Sequence, residues 1–172
     1  MIRKAENQDI PAVARIYQHI HAQEQAKNIQ IGWLPGVYPV EATARQALMR
    51  DDLFVYEQDG EILAAAIINQ NQMDAYVHGN WFYPAPANQI LVLHTLVVEP
   101  TAGGLGIGKA FVRFYEQYAA AKHCTVLRMD TNKINQRARG MYRKLGFREA
   151  GIISCNFNGI PNVQLVLLEK KI

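Results

Sequence analysis

The sequence predicts one mixed α/β domain, and three features carry that expectation. Apolar runs of strand length are bounded by Asp59-Gly60 and Asn158-Gly159, dipeptides suited to tight hairpin turns. Two longer stretches, 10–26 and 107–122, repeat apolar residues at helical spacing. Between them, Leu91 to Ala110 reads as a buried strand, a glycine-rich turn and the start of a helix. At 172 residues, 49% hydrophobic and 19% charged, the chain has the size and make-up of a single globular domain over 1–172.

Ile2 to Ala5 is short enough for an edge strand. Asn7-Gln8-Asp9-Ile10-Pro11 pairs a capping side chain with proline in the first turn, a helix start. Ile10, Val13, Ile16, Tyr17 and Ile20 then fill one face of a helix running to about residue 26. Residues 28–40, with Trp33, Pro35, Gly36, Tyr38 and Pro39, break the period and form a loop. Glu41 to Arg50 is a second, short helix. Strands at 53–57 and 61–68 flank the Asp-Gly turn. Residues 69–89 hold Trp81, Phe82, Tyr83, Pro84 and Pro86, a long polar and aromatic loop that is more often functional than idle.

Ile90 to Val98 is almost wholly apolar, as expected of a central strand covered on both faces. A helix follows from Ile107 to Lys122, with Ile107, Phe111, Phe114, Tyr118 and Ala121 as its inward stripe. Thr125 to Asp130 is the next strand. Asn135 to Leu145 is a helix with Ala138, Met141, Tyr142 and Leu145 inward, stopped by Gly146. Strands 147–155 and 163–168 close the chain around Asn158-Gly159. The order is β-α-α-β-β-β-α-β-α-β-β.

Charge is uneven. Residues 1–100 carry 6 Lys/Arg against 11 Asp/Glu, and residues 101–172 carry 12 against 4. The basic second half suits a polyanionic small molecule and the acidic first half an approaching cation. A net charge of +3 is too small to argue for nucleic acid. Cys124 and Cys155 follow no metal-ligand spacing and fit a reduced, cytoplasmic setting. The N-terminus lacks a signal-peptide pattern, and no apolar run is long enough to span a membrane.

A glycine turn opening a helix gathers backbone N–H groups and the positive end of the helix dipole, a natural phosphate site. Three patterns compete for it. The dinucleotide fingerprint G-x-G-x-x-G fails, because Lys109 or Phe111 stands where the third glycine belongs. Gly103 to Lys109 fits the G-x-x-x-x-G-K of nucleotide triphosphatases, but Ala110 replaces the hydroxyl that must meet magnesium.

In the third pattern, Gly103-Gly104-Leu105-Gly106-Ile107-Gly108 after a buried strand resembles the Q/R-x-x-G-x-G/A acyl-CoA loop of the GNAT superfamily of N-acetyltransferases. A second block, Asn135-x-x-Ala138-x-x-x-Tyr142-x-x-x-Gly146-Phe147, resembles that family's following helix and strand. The element order agrees over essentially the whole chain. The resemblance implies a central, mostly antiparallel sheet splayed between strands 90–98 and 125–130. It implies acetyl-CoA as co-substrate, no metal, and transfer of the acetyl group to a primary amine of a small molecule or peptide. Backbone groups of Gly103, Gly104, Leu105, Gly106, Ile107, Gly108 and Lys109 would hold the pyrophosphate, those of Leu96, Val97 and Val98 the pantetheine, and Asn135 the cofactor arm. Gly103 departs from the family's usual Gln or Arg. That removes a side chain from the pyrophosphate region and leaves the backbone donors.

Tyr142 stands where the family places its general acid. His94, in an otherwise apolar strand, resembles the histidine base of the arylalkylamine N-acetyltransferase branch. Asp130 falls where ribosomal-protein N-acetyltransferases carry a glutamate base, and water is a third candidate. Of these, His94 is preferred. Glu99 is expected at a strand end, facing solvent. Trp33, Tyr38, Trp81 and Tyr83, from the two long loops, are expected to form the acceptor's apolar wall. The other reading is a non-catalytic CoA-binding module on the same fold. An edge strand near the C-terminus could pair two copies as a homodimer.

Overall fold

The computed structural model describes residues 1–172. Its strands are β1 (Ile2–Lys4), β2 (Leu53–Gln58), β3 (Glu61–Asn69), β4 (Ile90–Val98), β5 (Val126–Asn132), β6 (Arg148–Phe157) and β7 (Ile160–Lys171). Its helices are α1 (Ile10–Gln25), α2 (Glu41–Met49), α3 (Ile107–Ala121) and α4 (Gln136–Lys144). The seven strands form one sheet in the order β1-β2-β3-β4-β5-β7-β6. Only β4 and β5 run parallel; every other neighbouring pair is antiparallel. Both hairpins turn where expected: Asp59 and Gly60 have φ of 52° and 79°, Asn158 and Gly159 48° and 88°. Two successive positive φ values match the right-handed twist of the strands that they join.

Strand alternation sorts the core onto two faces. Phe54, Ala64, Ala66, Ile68, Leu91, Leu93, Leu127, Met129, Val166 and Leu168 pack against α3 and α4. Leu53, Val55, Ala65 and Ile67 turn to the other face, under α1 and α2. On that second face, beyond the helices, Ile90, Val92, Val126, Leu165 and Leu167 are covered by Tyr76 and Trp81 of the 69–89 loop. The sheet is thus buried on both sides, which accounts for the apolar runs of β3 and β4.

Two local expectations are corrected. The buried side of α3 is Ile107, Phe111, Val112, Tyr115 and Ala119, while Ala121 is exposed. Phe114 and Tyr118 are only partly buried, stacked at 5.8 Å beside Phe54. Aromatic residues occur on two adjacent stripes of this helix, so periodicity alone could not choose between them. Asp9 precedes α1 as its N-cap residue, but its side chain makes no cap bond to that helix. Its carboxylate takes two bonds from Arg3 (2.7 and 3.0 Å) and one from the Glu6 N–H (2.8 Å), tying β1 to the helix start.

Candidate active site

The parallel β4–β5 ladder runs from Ile90↔Val126 to Leu93↔Met129 and stops there. Beyond it the edge of β4 that faced β5 has no strand partner, so the expected splay is present. A bulge in β4 marks its start. Ala65 pairs with Val97 and Ile67 with His94, so Ala66 alone faces both Thr95 and Leu96. Bulges bend the strand that carries them. Thr95 sits at φ +50°, a conformation unfavourable for a β-branched residue. A hydrogen bond between the Tyr38 hydroxyl and Thr95 Oγ1 ties the bulge to the 28–40 loop.

A cavity of about 410 Å³ opens at the splay. It is lined by His94, Leu96, Asp130, Asn135, Tyr142, Trp33 and Tyr38 from the expected set. His94 pairs across the ladder with Ile67, and Asp130 with Leu167, so both point to the face under α1, α2 and the 69–89 loop. Tyr142 comes from α4 on the opposite face. The gap between β4 and β5 is what lets side chains from both faces meet.

His94 is held by a chain of hydrogen bonds. Asn69 Oδ1 accepts from the Asn71 N–H (2.9 Å), and Asn69 Nδ2 donates to Asp52 Oδ2 (2.8 Å). Those two bonds orient the Asn69 amide. The 3.0 Å contact from His94 Nε2 to Asn69 Oδ1 therefore requires Nε2 to donate, which leaves the lone pair on Nδ1. Burial pulls the His94 pKa down to about 4, against the smaller opposing pull of Asp52. Asp130 moves the other way: burial pushes its carboxyl up to about 6, although Tyr76 donates a 2.7 Å hydrogen bond to it. Burial, and then the charge of Asp130, raises the Tyr142 phenol above its ordinary value, so it stays protonated at neutral pH. Asn135 caps α4, its Oδ1 accepting from the Ala138 N–H at 3.1 Å, and also lines the cavity.

The glycine turn follows β4 and opens α3. Gly104 and Gly106 have φ of +88° and +80°. A Cβ on either would meet nothing within 4 Å, so backbone conformation, not crowding, calls for glycine there. At the helix start, Ile107, Gly108 and Lys109 have no residue four back within the helix to bond, so their N–H groups are free of intrahelical partners. Gly103 differs: a Cβ there would stand 3.0 Å from the Pro100 carbonyl oxygen and 3.7 Å from Arg137 Nη2. Crowding disfavours a side chain at 103, and a guanidinium from α4 already stands beside that space. Val97 and Val98 pair with Ala65 and Ala64 of β3, with Val97 in the core beneath α1.

Trp81 and Tyr83 do not line the cavity. They belong to a latch holding the 69–89 loop on the sheet. The Arg128 guanidinium lies 4.1 Å from the Trp81 ring centroid, donates to Gln72 (2.7 Å) and the Tyr83 carbonyl (3.3 Å), and pairs with Glu169 at 3.1 Å. Glu169, fully buried, accepts from the N–H groups of Phe82 (2.7 Å) and Tyr83 (3.2 Å). The cavity's aromatic wall is instead Trp33, Tyr38 and Phe157, packed edge to face at 5.8 and 5.3 Å. Phe157 lies at the end of β6, a position that no local pattern marks as functional. Glu99 does not face solvent. It is buried and held by His19 Nδ1 of α1 at 2.8 Å. Nor do acidic residues of the first half line the cavity; its one carboxylate is Asp130.

A sheet splayed beside a glycine turn, with Tyr142 and Asp130 lining one cavity at the opening, is the arrangement expected of an acyl-transfer fold. The model of the acetyltransferase (GNAT) family matches residues 15–147, and the chain belongs to that family. No curated protein matches the sequence. Among solved structures, a GNAT-family acetyltransferase from Streptococcus agalactiae superimposes with a TM-score of 0.82 at 18% identity, covering 100% of this chain and 95% of that one. The ribosomal-protein-alanine N-acetyltransferase of Brucella melitensis gives 0.73 at 19%, covering 100% and 99%. A GCN5-related N-acetyltransferase from Kribbella flavida gives 0.72 at 20%, covering 100% and 97%. These likenesses establish the fold. No helix is long and apolar enough to cross a membrane.

Proposed function

We propose that this acetyltransferase moves the acetyl group of acetyl-CoA directly to a primary amine, in the cytoplasm, whose reducing environment suits the two free thiols. The observation that carries the reading is that β4 runs from a cavity lined by Tyr142 and Asp130, along an unpaired edge, to an unclaimed N–H cradle. The free donors at 107–109 and the dipole of α3 suit a pyrophosphate, and Arg137 supplies charge beside the position where Gly103 has none. The open edge of β4 past Leu93 suits the amide-bearing pantetheine, and Asn135 lines the path.

Acetyl-CoA, when bound, supplies an electrophilic thioester carbonyl and a thiolate leaving group. Acyl transfer there would join the amine nitrogen to that carbonyl carbon and break the carbon–sulfur bond. Tyr142, protonated and buried, gives its proton to the departing sulfur. The amine's surplus proton goes to Asp130. His94 was the preferred base on sequence grounds, but burial acts oppositely on a cationic and an anionic acid. It weakens His94, to about 4, and strengthens Asp130, to about 6, nearer the working pH.

Thermal unfolding with acetyl-CoA, CoA and ATP/magnesium in parallel tests the reading. A ligand at a hundredfold its Kd adds about 2.7 kcal/mol to the folded state. Stabilisation by acetyl-CoA and CoA alone, followed by thiol release with an amine panel, is the expected result. Binding without turnover of any amine would leave a CoA-binding module. Stabilisation by ATP/magnesium alone would refute the reading.

A further inference from the structure

We infer that the acceptor is an amine that also carries a carboxylate, and that Arg50 receives it. The inference rests on the acetyl-transfer reading above and goes on to name the substrate class. Arg50 is the only lysine or arginine lining the cavity, as Asp130 is the only acid. It follows the last turn of α2, which presents Thr43, Gln46 and Arg50 to the cavity at i, i+3 and i+7, a single helix face.

The guanidinium is pre-set for an anion. Its Nε and Nη2 bond Asp52 at 2.9 and 3.4 Å, along the side edge of the fork. Asp52 is itself buried, and Asn69 and Arg50 both anchor it. Nη1 bonds nothing in the chain, so the end of the fork is free, and the side chain is 45% exposed. A planar fork of this kind matches a carboxylate with two parallel hydrogen bonds. Asp52 therefore fixes the orientation of Arg50 without occupying its outer donors.

The rest of the lining agrees with an amino acid-like acceptor. Asp130, at the splay, meets the amine where the acetyl group must arrive. Trp33, Tyr38 and Phe157 give a flat apolar side for the body of the molecule. A diamine would set its second cation against Arg50, with no second carboxylate in the cavity to hold it. The lining thus offers one carboxylate, Asp130, for an amine and one guanidinium with a free edge, Arg50, for a carboxylate, the two groups of a zwitterion.

The test compares kcat/KM for matched acceptors: α- and ω-amino acids, their carboxamides and their decarboxylated amines, all with acetyl-CoA at saturation. The carboxylate-bearing members are expected to lead their partners by about tenfold or more, because leaving a built polar site unpaired is a strong rejection. Arg50→Gln should bring that ratio close to one, chiefly through KM. Arg50→Lys keeps a cation beside Asp52 but lacks the fork, and should also reduce the ratio while preserving the fold. Equal or better turnover of the amides or amines overturns the inference. So does an unchanged ratio in Arg50→Lys, or acetyl-CoA binding without turnover of any carboxylate-bearing acceptor. Failure of acetyl-CoA to bind the unaltered protein would instead overturn the acetyl-transfer reading, and this inference with it.

Discussion

Replacing Asp130 by Asn separates the cost of holding a partly buried carboxylate from its proposed use as a base. Its pKa rises from 3.8 to about 6 on folding. The folded state therefore binds more protons than the unfolded state between those values, so stability falls as pH rises through that window. Two pKa units correspond to about 3 kcal/mol, present as a penalty above pH 6 and absent below the unfolded value. Asn is nearly isosteric and still accepts from the Tyr76 hydroxyl, so it removes the charge and little else. His94 titrates in the opposite sense. Its folded pKa is lowered to about 4, so its contribution is full above the unfolded value of 6.5 and is lost as pH falls through the folded one. That contribution is common to both proteins and cancels in their difference. Urea unfolding at half-unit steps from pH 4 to 7.5 should show Asp130→Asn gaining about 2–3 kcal/mol relative to the parent across the range. In the same variant kcat/KM should fall about a hundredfold or more, as when a general base is lost. A stability difference that stays flat with pH would refute the buried-carboxylate argument. Unimpaired turnover would refute the role as base and return it to His94.

Two further outcomes follow from the same geometry. Tyr142→Phe should lower kcat by about a hundredfold or more with little change in the Kd of acetyl-CoA, measured by stopped-flow thiol release and calorimetry; an unaltered kcat would exclude the phenol as the acid. Arg128→Met should cost about 3–5 kcal/mol in urea unfolding, because it leaves the fully buried Glu169 carboxylate without its cation. Adding Glu169→Gln should recover much of that loss, and a single-variant cost below about 1 kcal/mol would show that the latch is not under load.

The two turn dipeptides, the helical periods and the strand–glycine–helix unit are local patterns. Each was legible because backbone preference acts over a few residues: positive φ at Gly104 and Gly106, hairpin geometry at Asp59-Gly60, amphipathic spacing in α1. Strand bounds agreed within a few residues, except that β7 runs through Ile160–Lys171 where only 163–168 was expected. Its charged end lies in the ladder beside β5, with Glu169 opposite Arg128. Trp33 and Tyr38, expected at the acceptor site from their place in the 28–40 loop, line the cavity. Trp81 and Tyr83 look the same in sequence, yet they close over Arg128 and Glu169. Nothing local announces that a residue on β5 and another on β7 will form the buried pair that claims them.

The sequence by itself determined the family fold, the glycine turn and the identity of Tyr142, Asn135, His94 and Asp130 as residues of one neighbourhood, since motif spacing along the chain encodes them. Only the tertiary structure decided their surroundings. Desolvation lowers the His94 pKa and raises that of Asp130, and packing brings Arg50, Phe157 and Asn69 from the end of α2, β6 and β3 into the same cavity. Charge and proton affinity depend on what surrounds a group in three dimensions, and those surroundings come from segments far apart in the chain.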